Sequence, residues 1–169
     1  MNISMWLVSG LLVLCTVLPF IILNKSGKGD LKIMNKEVAR LLNDRKLKFS
    51  LKENWGNSFI GLDANNRALV FSKVFDGVVA LDNIDLNDVL NVKIVKKTHE
   101  VRTKNKKETV LEKMDLEIRF LDEQKPHKTF NFYDIDSIYV EDYELRRAEK
   151  WNAAINGAVA TSFKSAKVA

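Results

Sequence analysis

The chain has 169 residues, 46% hydrophobic and 29% charged, with a net charge of +5. This composition is that of a globular and not a disordered chain, with room for one domain and attachments. Its one cysteine, Cys15, excludes a disulfide framework and a cysteine-based metal site, and its two histidines, His99 and His127, have no zinc-ligand spacing.

Residues 1–23 carry no charged side chain, and 5–23, MWLVSGLLVLCTVLPFIIL, form a run of 19 mostly apolar positions. A helix of that length spans roughly 28 Å, close to the hydrocarbon thickness of a bilayer. Gly10 and Pro19 are tolerated in a spanning helix, and Trp6 sits where an interfacial aromatic belongs. A cleaved signal peptide would need basic residues ahead of the run and small residues at the cut. No basic residue precedes this run, FIILNKSGKGD has no such cut, and Leu14 stands before Cys15 where a lipoprotein signal wants a small residue. The reading is an uncleaved transmembrane anchor over 1–23.

Residues 24–48 hold eight Lys or Arg against three acids, whereas 49–169 hold 19 of each. The excess positive charge belongs to a juxtamembrane collar and not to the body, which disfavours nucleic acid as a partner. Lys25, Lys28, Lys32 and Lys36 follow the span, and the N-terminal flank has no Lys or Arg. Positive-inside bias therefore predicts a single-pass inner-membrane protein with its C-terminal body in the cytoplasm. The same four lysines are candidates for contact with anionic headgroups.

NKSGKGD, 24–30, predicts a flexible joint. Asp30 then suits the N-cap of a short amphipathic helix, with Leu31, Met34, Val38, Leu41 and Leu42 on one face and Lys32, Lys36, Arg40 and Asn43 on the other. Such a helix either packs against the domain it leads into or lies on a membrane surface.

The body is expected over 49–163, with a frayed tail at 164–169. Strands are predicted at 58–63, at 67–74 after a turn in which Asn65-Asn66 takes the left-handed conformations, and at 78–82 after the FDG turn. NIDLNDV, 83–89, is an irregular connection into a long strand, LNVKIVKKTHEVR. The next strand alternates cleanly: Val110, Met114, Leu116, Ile118 and Phe120 point inward, interrupted only by Glu112, while Lys113, Asp115, Glu117 and Arg119 face water. Strand 128–134 turns Phe130 and Phe132 inward, and 47–54 supplies one more strand. A helix over 141–163 closes the chain, with Leu145, Ala148, Trp151, Ile155, Ala158, Val159 and Ser162 on its apolar face and Glu141, Asp142 and Glu144 at its start.

The fold class is therefore all-β with a capping helix: a sandwich or partly open barrel of six or seven antiparallel strands plus a C-terminal helix, preceded by one transmembrane helix. That order, the passage VALDNIDLNDVLNVKIV and Trp151 in the closing helix resemble the pleckstrin-homology-like fold, in particular its bacterial membrane-tethered members. The resemblance covers about 58–163. It implies a helix that plugs one end of a bent sandwich, with Trp151 structural, and a role as a protein-interaction or lipid-binding module. The phosphoinositide pattern of the family's first hairpin is absent, since Arg67 and Lys73 lack its spacing.

No catalytic constellation is evident, and no cofactor or metal is implied. Ser58, Ser72 and Ser137 lack a nucleophile-elbow setting. Asp82, Asp85 and Asp88 are turn formers and caps that match no calcium loop. The sharpest candidate site is the run 91–110, with Lys93, Lys96, Lys97, Arg102, Lys104, Lys106 and Lys107 against two acids and no aromatic residue. Without aromatics to stack on bases, its targets would be an anionic lipid surface or a protein partner. Alternatively it is a solvated hairpin whose lysines pair with acids such as Asp115 and Glu117 and discourage edge pairing. The functional expectation is a non-catalytic interaction module held at the cytoplasmic face of the membrane. Alternatives are an anionic-lipid-binding domain and an extracytoplasmic lipocalin-like carrier.

Overall fold

The computed structural model describes residues 3–75, 77–103, 106–136 and 143–166, apart from the side chains of 3–8, 11, 19–28, 30, 103, 106 and 162–166. The elements are α1 (Ile3–Arg45), β1 (Leu51–Trp55), β2 (Ser58–Asp63), β3 (Ala68–Phe75), β4 (Val78–Asp85), a 3-10 turn (Leu86–Asp88), β5 (Val89–Thr103), β6 (Lys106–Phe120), β7 (Lys128–Asp134) and α2 (Glu144–Ala166). The strands form two antiparallel sheets, of order β1-β2-β3-β4 and β5-β6-β7, which do not close into a barrel. The chain divides into two compact units. The first is Met1–Lys48, Lys52–Gly61 and Val70–Asp82, and the second is Phe49–Leu51, Leu62–Leu69 and Asn83–Ala169.

In the first unit the joint expected at 24–30 is helical: α1 runs unbroken through it to Arg45. Gly27 and Gly29 each cost the helix roughly 1 kcal/mol relative to alanine but do not forbid it. The helix stops in a Schellman turn, in which Lys46 takes φ 53° and the Leu47 N–H donates to the Leu42 carbonyl at 3.1 Å. Met34 and Val38, one turn apart, are buried. Between 12 and 18 the helix is exposed on every side and apolar but for Thr16, from Leu12 at 63% to Leu18 at 43%. Among the described residues no helix is long and apolar enough to cross a membrane. Much of the 5–23 run has side chains outside those described.

Gly56 opens the two-residue β1–β2 connection at φ 47°, a conformation that favours glycine in a tight hairpin. The connection is clamped by Asn57, whose carbonyl accepts from the Val74 N–H at 2.9 Å while its side-chain amide donates to the Val74 carbonyl. Trp55 and Phe71 pack with ring centroids 6.2 Å apart.

In the second unit the β2–β3 turn is organised by Asp63. This fully buried carboxylate accepts from the backbone N–H groups of Asn65 and Asn66 at 3.0 and 2.9 Å and from the Asn66 amide at 2.8 Å. The left-handed residue is Arg67, at φ 52°, and not Asn65 or Asn66. The Asp63 carboxylate thus ties down the backbone of 65 and 66, and the reversal falls at the next residue. β4 continues to Asp85 before the 3-10 turn, a more regular connection than expected at 83–89. Asp85 caps that turn, accepting from the Asn87 N–H at 2.8 Å.

The three-stranded sheet carries α2 on one face, with Ala148, Trp151, Ile155 and Val159 buried and Trp151 fully so. α2 extends to Ala166, past the expected tail boundary, while Glu141, Asp142 and the Ser162 side chain lie outside the described residues. Phe130 and Phe132 are buried as the alternation requires. The register step from Met114↔Tyr133 to Asp115↔Asn131 skips Phe132, so Phe132 and Tyr133 are both buried.

Candidate functional site

β5 and β6 pair along their length, but β7 pairs with β6 only between Lys113↔Asp134 and Ile118↔Lys128. Beyond Lys113 the hairpin continues as a two-stranded ribbon, about 24 Å long at the usual rise of a strand. A β-bulge lies at its base. Lys97 pairs with Lys113 and Thr98 with Leu111, so β6 carries one extra residue, Glu112, whose carbonyl accepts from the Ile135 N–H at 2.9 Å.

The bulge reverses the alternation of β6. Leu111 joins Thr98 on the side of Met114, while Val110, expected inward, faces the other way opposite His99. Glu112, which interrupted the apolar pattern, is placed by the extra residue on the polar face between Lys97 and His99. Lys97 Nζ lies 2.8 Å from Glu112 Oε2 and His99 Nδ1 lies 3.1 Å from Oε1. The hydrogen bond from Lys97 holds the Glu112 carboxyl below its ordinary pKa, against burial and with added help from the charges of Lys97 and His99. The same hydrogen bond, and then the Glu112 charge, raises Lys97 above the ordinary lysine value.

The alternation of β5 splits the basic residues between two faces. Lys93 and Lys97 lie on the polar face, and Lys96 and Arg102 on the opposite one, with Lys107 across from Arg102. Lys107 reaches Glu100 at 3.9 Å. Lys104 lies outside the described residues, as does the Lys106 side chain. The ribbon is thus partly self-neutralised, and its described cations do not share one face.

The acids on the polar face behave differently from a simple wet face. Asp115, expected exposed, is 9% exposed, with its Oδ1 accepting from the Asn131 amide at 2.8 Å and its Oδ2 3.4 Å from Lys113 Nζ. Glu117 accepts from Arg119 Nε at 2.7 Å, and that hydrogen bond, opposed by burial, lowers its pKa. Lys93, its cross-strand neighbour, adds a smaller push in the same direction. The pairing acids are therefore Glu112 and Glu100 for the ribbon lysines, whereas Glu117 goes chiefly to Arg119.

In the collar, Lys32, Lys36 and Arg40 are exposed on α1, while the Lys25 and Lys28 side chains lie outside the described residues. Of the three acids at 82–88, Asp85 is the cap described above and Asp88 pairs with Lys125 at 3.0 Å. Lys125 also lies over the Phe120 ring, 4.2 Å from its centroid, above a shallow pocket of about 200 Å³ lined by these residues with Leu121 and Asp122. Among the described residues no group of His, Cys, Asp and Glu is arranged to hold a metal ion. Ser58 and Ser72 are buried in β2 and β3, and Ser137 lies outside the described residues.

Two positioning residues escaped the sequence reading. Arg67 donates from Nε to Asn87 Oδ1 at 2.5 Å and from Nη1 to the Ala158 carbonyl of α2 at 3.2 Å. Asn156 of α2 accepts from the Val92 N–H and donates to the Val92 carbonyl, each at 2.9 Å, so one amide satisfies both outward backbone groups of a residue on the sheet's edge strand. Neither had a sequence signal, because the groups they bind, the Asn87 side chain and the Ala158 and Val92 backbone, are distant in the chain. No protein-family model, curated protein or solved structure matches the chain.

Proposed function

We propose that this chain is a membrane-anchored, non-catalytic interaction module that holds a pleckstrin-homology-like β body at the cytoplasmic face. The observation that carries the reading is α1. Its segment 12–18 exposes Leu12, Val13, Leu14, Val17 and Leu18, with the Thr16 hydroxyl bonded back to the helix, and no packed face accounts for them, whereas a bilayer would cover them. A basic collar follows on the same helix, and the segment before it has no charge. Two antiparallel sheets of four and three strands and a closing helix with Trp151 at its core support the pleckstrin-homology-like kinship. Because the sheets stay open, an interaction module is favoured over a lipocalin-like carrier. The division of the ribbon's described cations between two faces, with Lys97 and Lys107 already paired, favours it over a lipid-binding domain that grips headgroups through the ribbon.

Alkaline carbonate extraction of membranes, with protease treatment of intact and lysed spheroplasts, tests this reading. Retention in the carbonate pellet and protection of 49–169 until lysis are the expected results. Release by carbonate would remove the anchor, and digestion in intact cells would reverse the orientation.

A further inference from the structure

The continuity of α1 changes what the collar can touch. A helix rises about 1.5 Å per residue, so Lys36 lies roughly 20 Å and Arg40 roughly 26 Å along the axis from Leu23, the end of the apolar run. The headgroup zone is only about 6 Å deep on each side, and a surface potential decays within about 8 Å at physiological salt. Lys25 and Lys28 would lie among headgroups, but Lys36 and Arg40 stand well beyond them. Lipid contact therefore accounts for the near end of the collar but not for the far end.

That far end is ordered. Lys32, Lys36 and Arg40 recur every fourth residue, which aligns them along one side of α1 at intervals of about 6 Å. The buried Met34 and Val38 occupy the opposite side. All three cations are exposed, and none has an ion pair or hydrogen bond among the described residues. The ribbon cations Lys97 and Lys107, by contrast, each have an acid.

We infer that Lys32, Lys36 and Arg40 form a docking stripe for an acidic helix of a neighbouring membrane protein, one carrying Glu or Asp every fourth residue beyond its own span. Such a helix laid along α1 matches the spacing residue for residue, and anchoring both partners in one bilayer raises their effective concentration enough for a few exposed ion pairs to matter. A second copy of this chain does not offer that pattern: the acids of its α1, Asp30, Glu37 and Asp44, recur every seventh residue, and those described on α2, Glu144 and Glu149, are five apart with Glu144 buried. The inference rests on the anchored reading, which supplies the distance from the headgroups.

The test places the full chain in zwitterionic vesicles with a designed single-span peptide whose extramembrane helix bears Glu every fourth residue, and reads resonance energy transfer between the two. Transfer should exceed that given by a peptide of the same composition in shuffled order and should fall with salt. It should be lost in the triple variant Lys32→Glu, Lys36→Glu, Arg40→Glu and return when that variant meets a peptide with Lys in place of Glu. Equal transfer with the shuffled peptide, or with the triple variant, overturns the stripe. So does recruitment of phosphatidylserine that depends on Lys36 and Arg40 as strongly as on Lys25 and Lys28, since that would make the stripe a lipid site. Carbonate extraction of the same vesicles separates the two readings: a chain retained there but failing to dock keeps its anchor and loses only the stripe.

Discussion

Lys46 ends α1 at φ 53°, in the left-handed region where a β-carbon crowds the following carbonyl. The Schellman hydrogen bond to Leu42 holds it there, and glycine would adopt the same conformation without that crowding. Lys46→Gly should raise stability by about 1 kcal/mol, read as a higher denaturant midpoint with an unchanged slope. Asn156 is the opposite case. Its amide answers both the N–H and the C=O of Val92, and Asn156→Ala would leave one donor and one acceptor stranded beside α2. A loss of roughly 1–3 kcal/mol is expected, with faster amide exchange at Val92. If Val92 exchanges no faster, the amide is not what closes that edge.

At the scale of elements, the β5–β6 hairpin carries the shifted carboxylates and the shifted lysine among the described residues. Glu112 and Glu117 have lowered pKa values, so their contribution is complete above the ordinary carboxylate value of about 4.3 and is lost as pH falls through the lowered values. Lys97 has a raised pKa, so its contribution is complete below about 10.4 and is lost as pH rises through the raised value. The bulge cluster therefore supports the ribbon between these limits, and weakly, because the Lys97 side chain is 74% exposed. Amide exchange in 97–112, taken relative to its intrinsic rate, should accelerate as pH falls below the ordinary carboxylate range, and Glu112→Gln should remove most of that dependence. An unchanged acid limb in that variant would show that the pair does not support the ribbon. The strands themselves were legible in the sequence because alternation with a period of two survives wherever one face is buried, as at Met114, Leu116, Ile118 and Phe120. The bulge was visible only as an interruption at Glu112. A pattern reading can register an extra residue but cannot assign which side it takes, since that depends on the partner strand.

For the molecule as a whole, the anchored reading proposed above makes orientation depend on the charge difference across the apolar run. Changing Lys25, Lys28, Lys32 and Lys36 to Glu while placing three lysines before Met5 should invert the topology, making 49–169 accessible to protease in intact spheroplasts. Unaltered protection would mean that folding of the body, and not the collar, decides the side.

Composition and periodicity by themselves determined the uncharged N-terminal run, the basic collar, the antiparallel β body and the closing helix with Trp151, because each depends on residues near one another in the chain. The apolar faces of β6, β7 and α2 could be read for the same reason. The tertiary structure alone decided that α1 continues through Gly27 and Gly29, that Arg67 takes the left-handed position, that Asp115 is buried against Asn131, and that the basic run is split between faces. The split follows from pairing. A strand's alternation and its neighbour's acids decide which lysines stand alone, and those neighbours lie far away in sequence.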